Sequence, residues 1–479
     1  MIHRLFKDTL IYGSTSVFGR ALGILVFPLF TKLISPEDYG KLEMITIWGA
    51  LLMVFVSLEI SQGVARYYSG ERDVELRVGY ASSSLFFNLI GQAIFLTTVF
   101  TFSHRLALGL FDDSSATELV KLGAVFVSSQ SLFRLIQNQI RWNMQPLRYA
   151  FVTLLQAFFG IGISLYLVLV LKKGILGLLW GQTIGTCIGI CLGLFVSHDV
   201  YRFRYDWPLV KEMLAFSLPL VPAAIGTVAS IYIDRIAIKE LLTLEHVGLY
   251  SIAYRLATPA SLLIVGFQMA LTPLVYHNCQ KPETPENLAC IFRIFLCLGL
   301  PACFFAALFA EDIVKLLTAP RFHEISRIFP ILFASALTVG MYVFAPGMGI
   351  AKKTKILAVL AILGACMNGL LNFLLIPIMG LMGAAVGTLL GAFAMMLGWF
   401  YFSHRHYPIP FEWVRILTGI GWTALLVLLL AKLNLEDPIP LLGKTFIALF
   451  FLVTLFPIGL LKISELRLFF KYMRGIRAT

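Results

Sequence analysis

Fourteen apolar stretches follow one another along this 479-residue chain, each near the roughly 20 residues that a helix needs to cross the hydrocarbon core of a bilayer. Their limits are 9–33, 42–65, 79–103, 117–137, 148–171, 175–197, 213–238, 247–275, 289–310, 325–350, 355–377, 381–403, 413–431 and 441–461. Backbone polar groups in lipid must be satisfied within their own segment, so such windows predict helices and an all-α polytopic membrane protein. Composition excludes the alternatives. Only 13% of residues are charged, and mean hydropathy is +0.85, whereas soluble domains are roughly a quarter charged. A soluble chain of this length would divide into domains whose surfaces so few charges could not cover. The net charge of +12 is spread between apolar runs rather than gathered on a patch, which argues against a nucleic-acid partner.

The basic residues report orientation. With the N-terminus placed in the cytoplasm, inside segments carry 23 Lys and Arg and outside loops carry 12, which predicts cytoplasmic termini. Lys352, Lys353 and Lys355 supply much of that signal, and the tail with Lys462, Arg467, Lys471, Arg474 and Arg477 suits anionic headgroups. Arg4 and Lys7 precede an apolar run, as in a signal peptide. That run is too long and contains Arg20, so a retained first helix is expected. The seven cysteines have neither CxxC spacing nor a nearby His cluster, which predicts no disulfide framework and no metal site. No loop approaches the size of a domain, and no P-loop, HExxH or GxSxG motif is present. An enzyme is therefore not expected, nor any cofactor.

The chain also repeats itself. Gly174, Gly177, Gly181 and Gly185 recur as Gly380, Gly383, Gly387 and Gly391, and Ser197-His198 recurs as Ser403-His404. Ser35–Gly40 pairs in the same way with Thr243–Gly248. Six windows per copy is an even number, so the copies share one orientation about an axis along the membrane normal. The predicted organisation is two parallel six-helix lobes, 1–206 and 207–406, around a central cavity, followed by two further helices and the basic tail in 407–479. Such an arrangement is that of an alternating-access transporter. The glycines at four-residue spacing are expected to pack helix against helix. Pro219, Pro222 and Pro346 are expected to kink theirs.

Among the charges in the windows, five are read as intramembrane. Arg20 lies about 17 Å along the first, near the bilayer centre, where an arginine costs at least ~2.5–3.5 kcal/mol. Arg255 lies in the eighth window, Glu59 in the second, and Asp234 and Arg235 at the end of the seventh. Three arginines against two acids favour an anionic substrate. A planar guanidinium grips phosphate bidentately, so Arg20 and Arg255 are the candidate ligands of a diphosphate. Glu59, Asp234 and Arg235 are candidate coupling or cavity charges.

Leu33–Gly40, Pro219–Pro222 leading to Asp234-Arg235, and Val247–Ser251 followed by Ala253-Tyr254 resemble the bacterial polysaccharide transporters. Asn368, Asn372, Pro377 and Gly380–Ala385 fit the same pattern. These are the Wzx-type oligosaccharide flippases of the multidrug/oligosaccharidyl-lipid/polysaccharide exporter superfamily. The resemblance implies a multi-pass flippase of the bacterial inner membrane for an undecaprenyl-diphosphate-linked oligosaccharide. Membrane lipids and polysaccharide polymerase machinery are the expected partners, and the expected coupling is through a proton or sodium ion on Glu59 or Asp234, or through the membrane potential alone. Related lipid II flippases hold diphosphate with arginines on the first, second and eighth helices. Arg20 and Arg255 stand on the comparable first and eighth, whereas the second offers Glu59 and only Arg66 at its end. The alternatives are a multidrug or cation antiporter of the same superfamily and a non-transporting scaffold for glycan enzymes.

Overall fold

The computed structural model describes residues 2–432 and 440–455. The side chain of Arg20 and the basic tail from Lys462 to Arg477 lie outside the described residues. The described chain is helical throughout, without a strand. Its first part comprises α1 (Ile2–Leu33), α2 (Pro36–Ser57), α3 (Ile60–Tyr68), α4 (Val74–Phe111), α5 (Thr117–Trp142), α6 (Pro146–Leu165), α7 (Gly174–Val196), α8 (Trp207–Ser217) and α9 (Val221–Leu241). Then come α10 (Leu244–Ala257), α11 (Ala260–Asn278), α12 (Thr284–Leu308), α13 (Ala310–Leu317), α14 (Phe329–Val339) and α15 (Gly347–Ile350). The last are α16 (Thr354–Met379), α17 (Leu381–His406), α18 (Trp413–Lys432) and α19 (Leu441–Thr454).

Local sequence sets many of these limits. Ser35 caps α2 by accepting the Asp38 amide at 3.1 Å, with Pro36 at the first helical position and Glu37 and Asp38 in the first turn. Each of these features suits a helix start, because orphan amides and the positive dipole end are there. Asp73 caps α4 likewise through the Glu75 amide at 2.8 Å.

Among the described residues, eleven helices are long and apolar enough to span a membrane, or twelve if a bent pair counts as one. These fall on twelve of the fourteen windows. The first window lies on α1, and the last begins α19, whose apolar part is the shorter Leu442–Thr454. Several windows that read as continuous helices are interrupted: the seventh by a 3-10 turn at Leu218–Leu220, the tenth by the 3-10 stretch Gly340–Phe344 and non-helical Ala345-Pro346, as well as the second and the eighth. The second stops at Leu58 and Glu59, both left-handed at φ +48 and +54. Two consecutive non-glycine residues there are strained, and packing holds them: Ile60 and Val64 of α3 are fully buried with Met213 of α8. The eighth window bends by 45° between α10 and the start of α11.

The chain forms two units. The first runs to Leu249 and takes in Leu317–Arg321; the second takes the described residues from Tyr250 to Leu316 and from Phe322 onward. Each contains one copy of the glycine-lined helix pair. In the first unit, a Cβ on Gly181 would stand 2.3 Å from the Ser164 nitrogen, and one on Gly185 2.3 Å from the Gly160 Cα, drawing α7 onto α6. In the second, a Cβ on Gly383 would stand 2.2 Å from the Leu375 carbonyl oxygen, and Gly391 sits against Asn368, drawing α17 onto α16. Each ladder opens on a glycine of positive φ, Gly174 at +51° and Gly380 at +58°. With ψ −137°, Gly380 occupies a region essentially closed to side-chain-bearing residues.

The other repeated segment meets its own copy. Gly40 is the fifth residue of α2 and Gly248 the fifth of α10. A Cβ on Gly40 would reach 1.9 Å from the Leu244 carbonyl oxygen, and one on Gly248 1.8 Å from that of Pro36. The contact is reciprocal, as about a local twofold axis, and both segments belong to the first unit.

Candidate functional site

Arg20 stands on α1, about 20 Å before its end at Leu33. Arg255 is exposed, two residues from the end of α10. The break that follows has a local cause. Pro259 carries no amide hydrogen, and its ring collides with the carbonyl four residues back, which is that of Arg255. The turn is closed by other donors. The Thr258 amide and hydroxyl donate to the Tyr254 carbonyl at 3.0 and 2.9 Å, and the Ser261 hydroxyl donates to that of Thr258 at 2.7 Å. A discontinuous membrane helix with a charge at its break resembles the construction that transporters use for ligand sites.

Glu59 is half-buried at the left-handed break between α2 and α3. Its carbonyl accepts the Gln62 amide at 2.8 Å, opening the short helix that follows.

Asp234 and Arg235 lie within α9 and are joined by Glu43 of α2, a residue that no motif in the sequence singles out. The Arg235 Nη1 lies 2.9 and 3.2 Å from the two Asp234 carboxylate oxygens and donates to the Ile231 carbonyl at 3.0 Å. Its Nε is 3.4 Å from Glu43 Oε1. The guanidinium also lies 5.7 Å from the Tyr232 ring centre. All three charged side chains are under 10% exposed. Two carboxylates around one guanidinium form a buried charged cluster. Such charges are kept in low dielectric only when they hold one another. Glu43 did leave a signal, as an acid seven residues after Pro36 at the edge of an apolar window.

Other polar groups are built into the spans. In the first unit, Gln130 and Gln156 donate to the Thr186 hydroxyl at 3.0 and 3.4 Å. In the second, the fully buried Asn372 donates to the Asn368 side-chain oxygen at 2.6 Å, and Tyr250 and Thr388 share a hydrogen bond of 2.9 Å. Among the described residues, no group of three or more His, Cys, Asp or Glu could hold a metal ion.

Several known proteins share this architecture. The structure superimposes on a lipid II flippase, MurJ, in an inward closed conformation, with TM-score 0.70 at 16% identity, covering 97% of this chain and 99% of that one. It also matches an inward-facing multidrug resistance transporter of the MOP superfamily, with TM-score 0.64 at 16% identity over 82% and 94% of the two chains. A probable low-salt glycan biosynthesis flippase of Haloferax volcanii is 23% identical over 444 residues, 90% of this chain and 86% of the relative. A putative protein of the Lsg locus of Haemophilus influenzae is 22% identical over 62% of this chain and 72% of its own length. The family model for polysaccharide biosynthesis proteins matches residues 5–278, more than half of the chain. This multi-pass membrane protein, with the fold of the multidrug/oligosaccharidyl-lipid/polysaccharide exporters, therefore belongs to the polysaccharide biosynthesis protein family.

Proposed function

We propose that this protein is a flippase carrying an undecaprenyl-diphosphate-linked oligosaccharide from the cytoplasmic to the periplasmic leaflet of a bacterial inner membrane, with both termini in the cytoplasm. The observation that carries the reading is the exposed residue Arg255 at the break of a membrane helix. The family match and the glycan flippase among the relatives support it. Arg20 and Arg255 bind the diphosphate, the polyprenyl tail stays in lipid, and the glycan crosses through water. Rocking of the two six-helix repeats then exposes the headgroup on the other side. No bond is made or broken, so the residues act by binding rather than catalysis. An inside-negative potential favours outward movement of a net negative headgroup by about 2.3 kcal/mol per charge per 100 mV.

Surface polysaccharide complementation tests the site. The Arg20→Ala, Arg255→Ala double variant, at wild-type expression, is expected to lose at least about tenfold in export, one charge-assisted contact being worth ~1.5–3 kcal/mol. Full export at normal expression would overturn the assignment, and efflux of cationic drugs instead would make the protein a multidrug antiporter. Pro259→Ala is a milder probe. Returning the amide hydrogen is expected to straighten the bend, leaving expression equal or higher while transport falls. Unchanged transport would remove the bend from the mechanism.

A further inference from the structure

A groove of about 390 Å³ opens on the first unit, between α2, α4 and α5. Its walls are side chains such as Ile45, Leu52, Phe95, Val99 and Val127, and a single charged residue, Arg105, borders it. The size is that of a small-ligand pocket. Its walls belong to membrane-spanning helices, and an apolar hollow of this kind does not hold water.

The geometry of α4 sets its occupant. Phe95 and Arg105 both line the groove and stand ten residues apart on one helix, which is ~15 Å. One leaflet of hydrocarbon is about as thick, half of the ~30 Å core. With Phe95 near the midplane, Arg105 reaches the level of lipid phosphates. Its side chain is exposed and makes no ion pair or hydrogen bond among the described residues. We infer that this groove holds one acyl chain of an anionic glycerophospholipid, whose phosphodiester pairs with Arg105. A single guanidinium matches a singly charged phosphodiester.

Three glycines line the groove, and they differ in an informative way. A Cβ on Gly49 would lie 2.4 Å from the Val127 side chain, and one on Gly123 2.6 Å from that of Ile45. Those two glycines bring α2 and α5 together. Gly109, four residues beyond Arg105 on α4, has nothing within 4 Å of where its Cβ would be. Packing does not require glycine there, and a side chain would project into open space. Under the proposed topology, this end of α4 lies in the leaflet remote from the termini.

Native mass spectrometry of the detergent-purified full chain, titrated with dioleoylphosphatidylglycerol, tests the site. The wild type is expected to retain one phosphatidylglycerol with at least about tenfold higher apparent affinity than Gly109→Phe or Arg105→Gln. A Cβ at Gly109 meets nothing within 4 Å, so Gly109→Phe is expected to fill the groove with the fold kept and a gel-filtration profile that matches the wild type. Equal retention by all three proteins would overturn the inference. So would a co-purified polyprenyl phosphate, rather than phosphatidylglycerol, being the lipid that Gly109→Phe expels.

Discussion

Replacing Arg235 with glutamine is expected to lower the thermal midpoint of the purified protein sharply and to cut its folded yield, at a stability loss of about 3–5 kcal/mol. The guanidinium lies between the carboxylates of Asp234 and Glu43, all three nearly excluded from solvent. Removing it leaves two buried carboxylates without that cation, and this desolvation penalty exceeds what the hydrogen bonds to the guanidinium contribute by themselves. Adding Asp234→Asn and Glu43→Gln to Arg235→Gln is expected to return part of the loss, because a neutral triad has less charge to desolvate. Size-exclusion thermal profiles of the single and triple variants would measure both. An unshifted midpoint in Arg235→Gln would show that the cluster contributes nothing to the fold. The same series bears on coupling. If Asp234 carries the coupling ion, Asp234→Asn at wild-type expression loses the sodium or pH response of transport; if the cluster is structural, transport follows the amount of folded protein alone.

The second large effect is expected at Gly248. Alanine there would place its Cβ 1.8 Å from the Pro36 carbonyl oxygen, and alanine at Gly40 would stand 1.9 Å from that of Leu244. These neighbours are backbone, which cannot rotate aside as a side chain would. The α2 and α10 starts must separate, at about 3 kcal/mol or more. Gly162 is the control, because it lies within α6 and a Cβ there meets nothing within 4 Å. Gly162→Ala is expected to be neutral or to stabilise by up to about 1 kcal/mol through helix propensity. Equal midpoints for Gly248→Ala and Gly162→Ala would contradict the close backbone approach.

The matched glycines connect these predictions to the sequence. Their spacing identified the repeat, and the structure gives each member its reason: Gly181, Gly185 and Gly383 admit a neighbouring backbone, while Gly174 and Gly380 turn the chain into the helix. The bend after Arg255 was half legible. Thr258-Pro259 stands in the sequence, but a hydropathy window averages over a single proline, so the eighth window reads as continuous. The break at Leu58 and Glu59 was not legible at all, since neither residue favours a left-handed conformation.

The sequence by itself determined the all-helical multi-pass class, the order of the twelve spans described and the family, because lipid forces each span to satisfy its own backbone and to advertise that in local hydropathy. The membership of the charged cluster was decided by the tertiary structure. Glu43 and Arg235 are far apart in the chain, and nothing local to either names the other. Their pairing follows from the packing of α2 near α9, in which a buried charge is tolerated only beside its opposite.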